Sequence, residues 1–213
     1  MKQQKGFTLV EMAIVLVIIG LLLGGVLKGQ ELIESSKIKN AANDINGTIA
    51  AYNGYVDRFR AVPGDDIGAV AGRGAAWASA VAGNGNGQID GADAFVNTET
   101  AGTAENGSIW RHLRAAGFIS GNPLETTVTL PTNAFSGRIG VLSAAAYGIP
   151  AGAPKVCMDR VPGKAARALD IAMDDGNPTT GIFKGAAAFN AALAADATAQ
   201  YSDDVQYVIC RSM

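Results

Sequence analysis

A carboxylate inside an apolar run is the first feature of this chain that demands a chemical explanation. Glu11 is the one charge within Phe7–Leu27. In hydrocarbon it costs roughly 2.5–3.5 kcal/mol on insertion scales unless a partner compensates it. A second candidate is Asn84-Gly85-Asn86-Gly87-Gln88-Ile89-Asp90, with Asp93 three residues on. Oxygens from Asn84, Asn86, the Gln88 carbonyl, Asp90 and Asp93, around a turn at Gly87, have the spacing of a calcium loop. The first ligand position falls on Ala82, which offers no side-chain oxygen, and only Asp90 and Asp93 carry charge, so a plain Asn-Gly turn is the preferred reading. Asp170, Asp174, Asp175 and Asn177 form another acidic group, read as a solvated turn at a helix end. Cys157 and Cys210 stand too far apart for a zinc ribbon or a redox dithiol. A disulfide between them would close a loop worth about 4 kcal/mol in the chain-entropy model, and it requires an oxidising compartment. Two buried free thiols are the alternative, and alkylation without reduction separates the two.

Other chemistries lack their residues. His112 is the sole histidine, which removes multi-histidine metal centres, and no serine or cysteine sits in a nucleophile motif that would pair with it. Trp110, in the same short segment, reads as a core anchor. The glycines of Gly83–Gly87 are not followed by the Lys-Ser/Thr of a phosphate loop. The 213 residues carry a formal net charge of −2 with no Lys/Arg cluster beyond the first few positions, so a phosphate-neutralising nucleic-acid surface has no basis. The composition, 48% hydrophobic and 17% charged, is poor in charge for a globular domain, and the deficit is concentrated near the N-terminus.

The element that must carry Glu11 is long. At 1.5 Å per residue, Phe7–Leu27 spans about 30 Å as a helix, enough to cross a bilayer core. Lys2 and Lys5 in front of it predict a cytoplasmic N-terminus and an exported body. No small-residue cleavage pattern follows, so the segment is expected to be retained. The string Lys5-Gly6-Phe7-Thr8-Leu9-Val10-Glu11, continued by Met12-Ala13-Ile14-Val15-Leu16-Val17-Ile18-Ile19-Gly20, resembles the prepilin N-terminus of type IV pilins and type II secretion pseudopilins. That resemblance implies that residues 1–6 are a leader cut after Gly6 by a membrane prepilin peptidase. It implies that the new N-terminus, Phe7, is N-methylated, and that Glu11 pairs with the Phe7 amine of a neighbouring subunit. Each ion would relieve the other's desolvation. The proline found in many pilins within this segment is missing. Gly20, Gly24, Gly25 and Gly29 are expected to permit local melting of the helix in a filament instead.

Residues 7–30 are therefore expected to form an apolar transmembrane and polymerisation helix, and 31–62 its amphipathic continuation. There Ile38, Ala42, Ile45, Ile49, Tyr52, Val56 and Phe59 make one stripe, and Pro63-Gly64 ends it. Residues 63–213 are expected to be the head. Ala69–Gly107 reads as a long loop, and Ser108 as the cap of a helix over Ile109–Ala116. Thr126–Leu130, Arg138–Ser143, Lys155–Met158 and Val205–Cys210 read as strands, and Gly163–Met173 as a helix before a turn at Asp174–Pro178. The fold class is α+β, a long helix whose second half packs on an antiparallel sheet. The resemblance implies a non-enzymatic subunit, held in the inner membrane as a precursor and assembled with identical or related subunits by pilus or secretion machinery. A pseudopilin or minor pilin shares this description. The rival of another class is an adhesive or DNA-binding pilin acting through head loops Ala69–Gly107 and Asn177–Tyr201.

Overall fold

A computed structural model describes residues 8–100, 102–187 and 200–213. Its spine is helix α1, Leu9–Phe59, 51 residues and therefore about 77 Å long. No proline interrupts it, and its leucines, isoleucines and alanines favour helix once the first turn is fixed. It runs unbroken through Gly20–Gly29 in the single subunit. Phe59 is its last residue, because Arg60 turns into the left-handed region at φ 55° and donates its N–H to the Val56 carbonyl. The helix thus stops three residues short of the expected end at residue 62.

The two halves of α1 differ in environment. Residues 8–28 are all exposed, whereas Ala41, Ile45, Thr48, Ala51 and Tyr55 are buried against the head. Of the expected stripe only Ile45 is fully buried; Ile38, Ala42, Ile49, Tyr52, Val56 and Phe59 flank the contact. The buried face is rotated from the expected one by roughly 70° at 100° per residue. Small side chains explain the shift. Ala41, Thr48 and Ala51 let the helix axis approach the head closely, and the Thr48 hydroxyl satisfies itself on the Asp44 carbonyl at 2.8 Å.

The head holds four antiparallel strands in the order β1-β2-β4-β3: β1 Ile139–Leu142, β2 Lys155–Pro162, β3 Phe183–Ala186 and β4 Gln206–Ser212. Helix α3, Gly163–Met173, lies where the sequence places it. Three expectations need correction. Strand β3 was not foreseen. Thr126–Leu130 is not a strand: Val128 and Leu130 bury alternately as in one, but its backbone is engaged by side chains. The Thr129 N–H bonds Glu125 at 3.0 Å, and Arg114 takes the Thr129 carbonyl. Helix α2 covers Glu105–Ala115 rather than starting after a Ser108 cap. Its first N–H groups, from Glu105 and Asn106, are taken by the Asp90 carbonyl at 2.8 and 3.1 Å, so a distant loop supplies the cap. Residues 69–104 contain short 3₁₀ turns at Ala71–Arg73 and Ala75–Trp77. They bring Ala69, Trp77, Ile89, Ala94 and Phe95 into the core.

Candidate functional site

At the start of α1, Thr8 is the N-cap. Its backbone N–H and its hydroxyl both donate to the Glu11 carboxylate at 2.8 Å, while the Glu11 N–H returns to the Thr8 hydroxyl oxygen at 3.3 Å. This capping box follows from Thr-x-x-Glu, a spacing legible in the sequence but overshadowed by the question of an external partner. Glu11 also sits at the positive end of the helix dipole. Within the subunit the carboxylate is therefore already hydrogen-bonded, and among the described residues no cation pairs with it. Gly6 and Phe7, the expected processing and methylation positions, lie outside the described residues. On both sides of Glu11 the helix shows a continuous exposed apolar surface, including Leu9, Ile14, Leu16, Val17, Leu21, Leu22 and Leu27. Its apolar window is long enough to cross a membrane, and none of it is buried.

In the head, Cys157 and Cys210 face each other across β2 and β4 and are joined by a disulfide, 53 residues apart in sequence. Both are buried. The loop with calcium-like spacing is built around a residue that the sequence reading missed. Asp65, 3% exposed, accepts the N–H groups of Gly85 at 2.5 Å, Asn86 at 3.1 Å and Gly87 at 2.6 Å. Gly85 and Gly87 have φ of 75° and 83°, the left-handed geometry that turns successive N–H groups to one side. Asn84 and Asn86 both donate their amides to Asp90, at 2.9 and 2.8 Å, and their carbonyl oxygens accept the N–H groups of Asn86 and Gln88. Asp93 instead accepts the Phe95 N–H at 2.9 Å. Buried Glu105 takes the N–H groups of Asn84 and Asp90, its carboxyl pushed upward by burial and then by the nearby charges of Asp65 and Asp90. The structure thus gathers Asn84, Asn86 and Asp90 but turns Asp93 elsewhere. The groups directed at Asp65 are backbone N–H donors, the polarity of an anion nest that this carboxylate fills.

The acidic turn is equally engaged. Ligand-capable oxygens of Asp170, Asp174 and Asp175 lie within 4.8 Å of one another. Asp170 is buried rather than solvated, accepting the Tyr201 hydroxyl at 2.7 Å and the Gly176 N–H at 3.0 Å. Asp174 holds the N–H groups of Ile182 and Phe183, which fixes the entry to β3. His112 is buried, accepting from the Gly64 N–H and facing the Val81 carbonyl, each at 2.9 Å. Burial pushes its pKa down to about 4. It stacks near Tyr55 and is a structural side chain. Trp110 is a core residue, as expected.

Residues 1–27 match the family model of the prokaryotic N-terminal methylation motif. The chain carries the type IV pilin and pseudopilin prepilin signature. No curated protein matches it. The prepilin signature covers the turn bearing Glu11 and nearly the whole exposed apolar half of α1. It implies processing by a prepilin peptidase and use by pilus or secretion machinery. Together with the long helix and antiparallel sheet it describes a structural, pilin-like protein, and the apolar helix fits an inner-membrane precursor.

Proposed function

We propose that this chain is the structural subunit of a type IV pilus, inserted in the inner membrane as a prepilin and cut after Gly6. In this reading it is methylated at Phe7 and polymerised through α1. The supporting observation is the wholly exposed apolar run from residue 9 to residue 27, opened by a turn that carries one carboxylate. Such a surface is stable in lipid or against copies of itself, since apolar area is worth about 25 cal/mol per Å² when kept from water. On assembly the Phe7 amine of a neighbour supplies the charge that Thr8 does not. The head then forms the outer surface, with strands β2 and β4 tied by the Cys157–Cys210 disulfide.

The test is to shear surface filaments from cells, identify their main component, and measure its mass. The expected subunit lacks six residues and carries one methyl group, and Gly6→Ala abolishes both the processing and the filaments. Filaments built mainly of another protein would assign this chain to a minor pilin or pseudopilin role. The loop Asn84–Asp93 is read here as a scaffold closed on Asp65 and Glu105. A calcium titration that releases heat and raises the melting temperature would reverse that reading.

A further inference from the structure

One flank of α1 borders a groove. Gln30, Ile33, Lys37, Asn40, Asp44 and Gly47, spaced alternately by three and four, line successive cavities along the helix. The opposite wall comes from the head, chiefly Thr132, Asn133, Phe135 and Pro162. The groove is apolar at Ile33, Phe135 and Pro162, near the exposed run of α1, polar at Asn40, Asp44, Thr132 and Asn133, and mixed beyond, where Gly47 shares a cavity with Phe118 and Ile119. Asp44 lies in the polar part and is half-buried. Among the described residues no cation and no hydrogen-bond donor reaches its carboxylate, and burial alone raises its pKa. Lys39 is exposed and forms no ion pair among the described residues. It stands roughly 140° around the helix from Asp44, facing away from the groove.

We infer that the groove receives α1 of a second copy of this chain, with Lys39 of the incoming copy meeting Asp44 of the receiving one. The inference rests on the polymerisation reading above and specifies its contact. A subunit that offers one face and receives on another makes a heterologous contact, the kind that propagates into a filament rather than closing into a dimer. Pairing position 39 with position 44 displaces the two copies along the axis by five residues, about 7.5 Å. The same displacement brings the Phe7 end of one copy to within about one residue of the level of Glu11 in the other. One stagger therefore serves a charge pair at the start of the helix and another in its second half. The unpartnered carboxylate gains a cation, and the apolar floor of the groove continues the apolar surface of the rod.

The test uses the full chain expressed in cells that assemble it. Asp44→Lys and Lys39→Asp each place like charges at the contact and are expected to lower filament yield by about tenfold or more. The double reversal is expected to return it to near the unaltered level. Thermal unfolding of each detergent-solubilised chain controls for loss of fold. In a second variant pair, Lys39→Cys with Asp44→Cys is expected to give an intermolecular disulfide ladder in filaments, and neither single cysteine variant to give one. If the unaltered chain forms no filaments, polymerisation itself fails and the contact with it. If it forms filaments, yet the single reversals are silent or the double is not restored and no ladder appears, this contact is wrong and polymerisation stands.

Discussion

Glu11 makes two kinds of contact that substitution can separate. As the third residue of a capping box it accepts from the Thr8 N–H and hydroxyl, a role an amide fills nearly as well. As a charge it answers a cation, which an amide does not do. Glu11→Gln is therefore expected to keep the helix start and lose filaments, because the neighbour's amine is left in an apolar layer at about 3–5 kcal/mol. Glu11→Ala also loses the carboxylate half of the capping box while Thr8 keeps its own, up to about 1 kcal/mol more at the helix start. Filament yield by electron microscopy, beside the helical signal of the solubilised subunit, distinguishes them. His112 gives a second residue-level prediction. Its folded pKa of about 4 lies below the ordinary 6.5, so the folded state binds the proton less readily than the unfolded one. Its contribution is complete above about pH 6.5 and declines as pH falls toward 4, on the order of 3 kcal/mol over the whole window. Unfolding midpoints between pH 7 and 5 are expected to fall, and to fall less steeply in His112→Gln.

At the scale of elements, the sheet is stapled where β2 and β4 meet. Replacing Cys157 and Cys210 with serine is expected to cost about 2–4 kcal/mol, read as a lowered melting temperature, since the bridge closes a long loop. Helix α1 depends on small residues instead. Ala41→Leu overpacks a fully buried contact and is expected to cost about 1–3 kcal/mol by the same measurement. These two features mark how far the sequence could be read. The long helix, α3, three of the strands and the cysteine pairing were legible, because each rests on local periodicity or on a residue with few chemical options. The missing pieces depend on distant partners. Strand β3 is Phe-Lys-Gly-Ala, with no alternation, and is positioned by Asp174. The segment Thr126–Leu130 alternates like a strand but is held by Glu125 and Arg114. The start of α2 is capped by Asp90, and the buried face of α1 follows alanines that a search for large side chains passes over. In the candidate site, Glu11 was legible as a charge out of place. Asp65 was not, because only the folded loop brings Gly85, Asn86 and Gly87 around it.

The whole molecule divides its labour along α1. Residues 8–28 contribute nothing to the buried core, which begins at Ala41 and includes the sheet, α2 and α3. The stability of the head should therefore be independent of the part that assembles. Removing residues 1–28 leaves Gly29 as the start of a helix still anchored by Ala41, Ile45, Thr48, Ala51 and Tyr55. Such a chain is expected to be soluble and monomeric, with the Cys157–Cys210 bridge formed and a melting temperature within a few degrees of the detergent-solubilised parent, because residues 8–28 bury nothing on folding. The few degrees allow for fraying of the new end, where four N–H groups lose their partners and the Thr8 cap is gone. It should also fail to enter filaments, although the groove beside Asp44 is intact, since that contact adds register to an association driven by the apolar rod. Light scattering and calorimetry decide the outcome. A truncated head that melts far below the parent would mean that the rod supports the fold, and one that still polymerises would mean that the head, not the rod, drives assembly.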